Sequence, residues 1–90
     1  MNLESSIKEN LIKICIKVFQ NVDIETDLIE YVNFVEDLGM DSITFIAFIV
    51  EIETVFKIII PDDKLLMENF KNFDDVIALV KVEIERNNNE

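Results

Sequence analysis

Histidine is absent from this 90-residue chain, and cysteine, glycine and proline occur once each. Without histidine, Ser-His-Asp and Cys-His catalysis are excluded. Cys15 alone forms no internal disulfide, and one cysteine with no histidine leaves no zinc site. That cysteine usage suits a reducing compartment, so a cytoplasmic protein is expected. Gly39 is the only glycine, which rules out a glycine-rich phosphate loop. So few glycines and prolines also argue against a turn-rich β fold. No apolar run is long enough for a membrane span; the longest, from Ile43 to Ile60, is broken by Glu51, Glu53 and Lys57. The start, Met1 to Ser5, lacks the basic and apolar regions of a signal peptide, and none is expected.

What is present points to helices. Half of the residues are hydrophobic and 30% are charged, with many Ile, Leu, Lys and Glu. This length supports one domain with one modest core. A single domain over residues 1–90 is expected, with its core in residues 3–86 and a disordered tail at 87–90. The charge is one-sided: 19 acids against 8 bases, net -11. Between Lys17 and Lys57 lie nine acids and no base, so that stretch carries -9 of the total. Such a surface repels nucleic-acid phosphates and anionic headgroups, so neither nucleic-acid binding nor membrane insertion is expected. It attracts partners with basic patches, mainly by speeding encounter and selecting among partners.

Leu3, Ile7, Leu11, Ile14, Cys15 and Val18 recur at spacings of three and four, which predicts an amphipathic helix over residues 3–20. Cys15 lies on that stripe and reads as a core residue, not a nucleophile. Residues 21–41 read as a long connection that mixes turn and cap formers (Asn33, Asp37, Gly39 and Asp41 among them) with apolar residues that would pin it onto the helices. A connection of this length in a small domain is often functional. A second helix is predicted over residues 42–56, with Ser42 as its N-cap. Pro61 bounds the segment beyond it, and a short third helix is predicted from Asp62 to Asn69. Asn72 is placed to cap a last helix with the stripe Phe73, Val76, Ile77, Val80 and Ile84. The predicted fold is all-α: a four-helix bundle of three longer helices and one short third helix, with a long first loop.

The second helix is apolar on two faces. Phe45, Phe48, Ile49, Ile52, Val55 and Phe56 are enough to face a core, while Ile43, Ile46, Ala47 and Val50 form another stripe that starts beside Ser42. Such a helix is either buried all round or presents its second face to a partner or ligand. A charge placed at Val50 separates the two, since it unfolds a buried helix and spares a docking one. Ile43, Ile46, Ala47, Val50 and Glu53 are the candidate partner-docking residues.

Of the chemistries left, calcium fits poorly. Acids alternate at Asp23, Glu25 and Asp27, as in an EF-hand loop, but Leu28 stands where the turn needs glycine and Phe34 where the bidentate glutamate belongs. No metal site is expected. There remains Glu36-Asp37-Leu38-Gly39-Met40-Asp41-Ser42-Ile43. Taken alone, an Asp-Ser pair at a helix start is most often a cap. The segment resembles, however, the modification motif of acyl carrier proteins and of the peptidyl carrier domains of nonribosomal peptide synthetases: Leu-Gly, any residue, Asp-Ser, then Leu, Met or Ile. Ile49, Ile52-Glu53, Phe56 and Ile58-Ile59-Ile60-Pro61-Asp62-Asp63 resemble that family's second helix and the Ile-Pro-Asp turn after it, so the likeness covers essentially the whole chain.

The resemblance implies a substrate carrier and not an enzyme. In the family the serine hydroxyl receives a 4'-phosphopantetheine arm from coenzyme A through a separate phosphopantetheinyl transferase. The arm's thiol then holds acyl or aminoacyl cargo as a thioester. Ser42 is thereby the expected attachment point and Asp41 the adjacent motif residue, with a role in the transferase encounter. A loading enzyme and downstream condensing, tailoring or transferase enzymes are the other expected partners, and the carrier is expected to be a discrete monomer. One departure matters. Carriers of fatty acid synthesis present an acid-rich second helix, whereas Thr44 and Ala47 stand here at positions matching two of those acids. That favours a carrier of a nonribosomal peptide or polyketide pathway, the alternative being the carrier of general fatty acid synthesis. A reading of another class is an unmodified acidic helical module that occupies a basic partner; it requires Ser42→Ala to be silent.

Overall fold

The computed structural model describes residues 2–19 and 26–88. Three α-helices carry the fold: α1 (Leu3–Val18), α2 (Ser42–Phe56) and α3 (Phe73–Asn88), with no strand among the described residues. Side-chain caps start the first and the last, the last at Asn72 as expected. Asn2 Oδ1 accepts from the Ser5 N–H at 2.8 Å, and Asn72 Oδ1 from the Asp75 N–H at 2.9 Å. Each satisfies a donor that a first helical turn leaves open. Acids in the first turns (Glu4; Asp74 and Asp75) and bases in the last (Lys17; Arg86) follow the helix dipole.

α1 packs against both α2 and α3. Ile7 and Leu11 of α1, Phe48 and Ile52 of α2, and Val76 and Val80 of α3 are fully buried between them. Phe34, from the long connection, is the hub of this core. Its ring lies 5.1 Å from Phe48, 5.5 Å from Phe73 and 6.0 Å from Phe19, so one loop residue ties together the end of α1, the middle of α2 and the start of α3. Each such aromatic pair adds about 0.5–1.5 kcal/mol beyond the area it buries. Ile29, Leu38 and Met40 are buried as well, so the connection is pinned down as its apolar residues suggest. Cys15 is buried on the core stripe, and desolvation pushes its thiol up to about 12, which keeps it protonated and inert.

The fold corrects several expectations. α1 ends at Val18, with Phe19 as its C-cap, short of residue 20. The connection contains a 3-10 helix, Thr26–Tyr31, where irregular backbone was expected. The short third helix does not form as an α-helix. Two 3-10 turns, Asp62–Lys64 and Met67–Asn69, stand in its place, and Leu66 between them is extended at φ -117°, ψ 134°. So short a segment after a proline closes too few i to i-4 bonds to offset helix nucleation. α3 continues to Asn88, two residues into the stretch expected to be a tail, because nothing there breaks a helix. Residues 89 and 90 lie outside the described residues, as do Asp23 and Glu25 of the rejected calcium loop. Among the described residues no group of acids and cysteine is placed to hold a metal ion, and no helix is long and apolar enough to cross a membrane.

Candidate functional site

The approach to α2 is built by one tight turn. Asn33 Oδ1 accepts from the N–H groups of Val35 and Glu36, both at 2.9 Å, and the Asn33 N–H donates to Asp37 Oδ2 at 2.7 Å. The turn closes at Gly39, whose N–H reaches the Val35 carbonyl at 3.1 Å. Gly39 has φ +70°, which L side chains rarely adopt, while open space surrounds the position of a Cβ there. Glycine is thus required for its backbone and not for room. Met40 then drops into the core and its N–H bonds the Phe34 carbonyl at 2.9 Å, which fixes where the next residues emerge.

Those residues are Asp41 and Ser42, both exposed. The structure corrects the expected cap. Asp41 is the N-cap: its backbone is extended (φ -114°, ψ -173°), its carbonyl accepts from the Phe45 N–H at 2.8 Å, and its Oδ1 accepts from the Thr44 N–H at 2.9 Å. Two good capping residues stand side by side, and burial of Met40 gives the position to the first. The Thr44 N–H, then the Thr44 hydroxyl and the Ile43 N–H, hold the Asp41 carboxyl below the usual carboxylate range. Ser42 becomes the first helical residue. Its Oγ makes no hydrogen bond among the described residues, so the hydroxyl is released from capping duty. It stands on the solvent side of a helix N-terminus, whose unpaired N–H groups and positive dipole end suit an anionic substituent. No acid lies within that first turn of α2.

From Ser42 the second apolar stripe runs down α2 and is bare. Ile43 is 81%, Ile46 64% and Val50 52% exposed, and Ala47 is exposed beside them. The opposite face, Phe48, Ile49 and Ile52, is buried, while Phe45 and Phe56 are half-buried at the border and Val55 is exposed, unlike the rest of its expected stripe. The helix is therefore not buried all round. Beside the bare stripe lies an apolar cleft of about 300 Å³, lined by Phe45, Ile46, Ile49, Val50 and Leu65. Ile46 is four residues from Ser42 and so shares its side of the helix, which places the cleft mouth one turn from the serine hydroxyl.

Glu53 stands apart from the other docking candidates. It is half-buried, and its Oε2 accepts from the Ile60 N–H at 3.0 Å, while its carbonyl receives the N–H groups of Lys57 and Ile58 at the helix end. Lys57 closes that end in the left-handed region at φ 55°. The other carboxylate of α2, Glu51, bonds Lys17 of α1 at 2.8 Å. Both acids of the helix thus serve the fold. In the sequence only the Leu65-Leu66 pair hints at Leu65, and Phe45 and Ile49 read as core residues alone.

Comparison with known proteins agrees with the motif. A family model described as "Phosphopantetheine attachment site" matches residues 20–80. The chain is 40% identical over 81 residues to a protein named "Acyl carrier protein" from Desulforapulum autotrophicum, covering 90% of this chain and 96% of that one. It is 35% identical over 65 residues to the protein of that name from Lactobacillus acidophilus, covering 71% and 79%. To the one from Phytoplasma mali it is 34% identical over 65 residues, covering 72% and 68%. No solved structure matches the chain.

Proposed function

Because the chain belongs to the phosphopantetheine-attachment family of acyl and peptidyl carriers, whose cofactor is covalent 4'-phosphopantetheine, we propose that Ser42 bears that arm and that the protein carries acyl chains. The family is one of carrier domains, generally non-catalytic, that meet a phosphopantetheinyl transferase and partner enzymes. The observation that supports Ser42 is its free, exposed hydroxyl at the N-terminus of α2, next to a carboxylate already committed to the cap.

The residues fit the group. When bound, the arm supplies a flexible tether ending in a thiol that takes cargo. The chain's own residues do the rest. Asp41 keeps the first turn of α2 formed while directing its charge to the Thr44 N–H instead of towards a phosphodiester. The α2 N-terminus stabilises the phosphodiester charge. With no histidine in the chain, removal of the Ser42 proton falls to the transferase. The bare stripe of Ile43, Ile46, Ala47 and Val50 gives partner enzymes an apolar contact. Glu53 is left a smaller share of that contact, since one of its oxygens is engaged.

Support for the cargo has shifted from the expectation. The weak acidic face of α2 favoured a peptide or polyketide pathway. The relatives are named acyl carrier proteins, which favours the alternative, a carrier of fatty acid synthesis. The cleft supports acyl over aminoacyl cargo too: its lining is five apolar side chains, suited to an aliphatic chain and offering no partner for an ammonium group.

Incubation with coenzyme A and a broad-specificity transferase tests the site. Intact mass is expected to rise by one phosphopantetheine, and Ser42→Ala to abolish the rise. An unchanged mass, or a rise that persists in Ser42→Ala, overturns the assignment.

A further inference from the structure

The connection from α2 to α3 stands between two open spaces. On one side is the apolar cleft, with Leu65 in its wall. On the other is an open surface hollow of about 520 Å³, lined by Lys64, Glu68 and Asn69 of the connection and by residues of α3 that include Asp74, Ala78 and Val82. Neither 3-10 turn of the connection has a buried residue. Its two ends are anchored, by Ile60 and Phe70 in the core. Between those anchors Leu65 and Met67 pack half-buried against the core, and the polar hold on the segment centres on Lys64. The Lys64 N–H donates to the Pro61 carbonyl at 2.9 Å, and its own carbonyl accepts from the Leu66 N–H at 2.9 Å and from Asn69 Nδ2 at 3.1 Å. Lys64 Nζ donates to Glu83 Oε2 at 2.9 Å, which ties the segment to α3.

Glu83 is the one buried charged side chain among the described residues, 3% exposed, and its other cation, Arg86, lies farther away at 3.5 Å. A carboxylate buried on a helix is unfavourable unless paired, and an apolar residue of its size would do as well for stability alone. Its service here is positional.

We propose that Lys64 and Glu83 are positioning residues: they latch the connection onto α3 and so hold Leu65 in the wall of the apolar cleft. With the latch released, residues 62–69 move as a strap between their anchors and the cleft widens. Only the consequence for cargo rests on the function proposed above. The latch is tested on the unmodified chain, so its failure and failure of the Ser42 assignment are separate results.

The test is amide hydrogen exchange by NMR on the full chain, with Lys64→Met, which keeps the aliphatic stem and removes the charge. Exchange at Leu65, Leu66 and Asn69 is expected to quicken about tenfold, with core amides of α1, α2 and α3 within about twofold of the parent. Nuclear Overhauser contacts between the Leu65 methyls and those of Ile46, Ile49 or Val50 are expected to weaken. Lys64→Arg should restore both. Unchanged strap exchange overturns the proposal. So does core exchange that quickens as much as the strap, or loss of the fold in Lys64→Met, because the pair then holds the whole domain. Glu83→Gln, which keeps an acceptor of the same shape, provides a second reading on the same criteria.

Discussion

α1 and α3 are built as surface helices, and α2 is not. α1 and α3 each turn one apolar stripe inwards and cover the other side with charge, leaving single apolar residues such as Ile16 or Val82 exposed. α2 buries Phe48, Ile49 and Ile52 on one side and leaves Ile43, Ile46 and Val50 in water on the other. Folding explains the first face and is indifferent to the second, since side chains in water add nothing to the core. A contiguous bare stripe that begins at Ser42 therefore needs a reason outside the fold, and contact with cargo or with partner enzymes supplies one.

The largest effect expected from this contrast is on the buried face. Phe48 is fully buried and packs its ring at a tilt against Phe34 and Phe19. Phe48→Ala should lower stability by about 3–5 kcal/mol, a large share of the roughly 5–15 kcal/mol that holds a domain. Urea melts followed by circular dichroism would show it. A loss below about 1 kcal/mol would mean that the Phe48 face of α2 is not part of the packed core.

On the bare face the same measurement should barely move. Val50→Asp is expected to keep stability within about 1 kcal/mol of the parent. Loading of the arm should slow about tenfold, which corresponds to one interface contact worth about 1.4 kcal/mol. Aspartate removes the apolar contact and leaves attraction to a basic partner intact, so any slowing belongs to the apolar stripe. Unfolding of Val50→Asp would erase the difference between the two faces.

The effect at the head of the helix is smaller. Removing the cap with Asp41→Ala should lower the melting temperature by a few degrees and fray the first turn of α2, where Ser42 sits. The Asp41 carboxyl lies below its ordinary value in the fold, so what it contributes is fully present above about pH 4 and is lost as pH falls through the lowered value. Asp41→Asn keeps a capping oxygen without the titration. Its Ser42 and Ile43 amide shifts should stay flat in an acid NMR titration where those of the parent move.

The two kinds of helix also differ in how far the sequence reveals them. The stripes of α1 and α3 and the Asn72 cap are local, and a short window of sequence contains them. The doubled pattern of α2 is also visible, but which stripe meets water depends on what the rest of the chain covers, and no window of sequence contains that. The α2 cap lies one residue before the expected Ser42, because aspartate and serine cap equally well. The choice was made by Gly39 and Met40, through a left-handed backbone and a buried side chain. The attachment motif stood out as residue identities, whereas its cleft did not. Leu65 reaches it from a segment that reads as a helix and folds as two 3-10 turns, held by a Lys64–Glu83 pair 19 residues apart in the chain.

The smallest expected effect concerns the charges of α2, and it bears most directly on what a partner reads. Glu51 is drawn across to Lys17 of α1, 2.8 Å away, with the lysine side chain 71% exposed. Such a pair contributes about 0.2–1 kcal/mol. Glu51→Gln should therefore cost at most that in low salt and nothing measurable at 1 M salt, where the screening length falls to about 3 Å. Its effect on arm loading is expected to be far below that of Val50→Asp, because the carboxylate faces α1 and not the bare stripe. If Glu51→Gln slowed loading as much as Val50→Asp, charge on α2 would be read after all, and its exposed apolar face would lose its claim to be the surface that partners recognise.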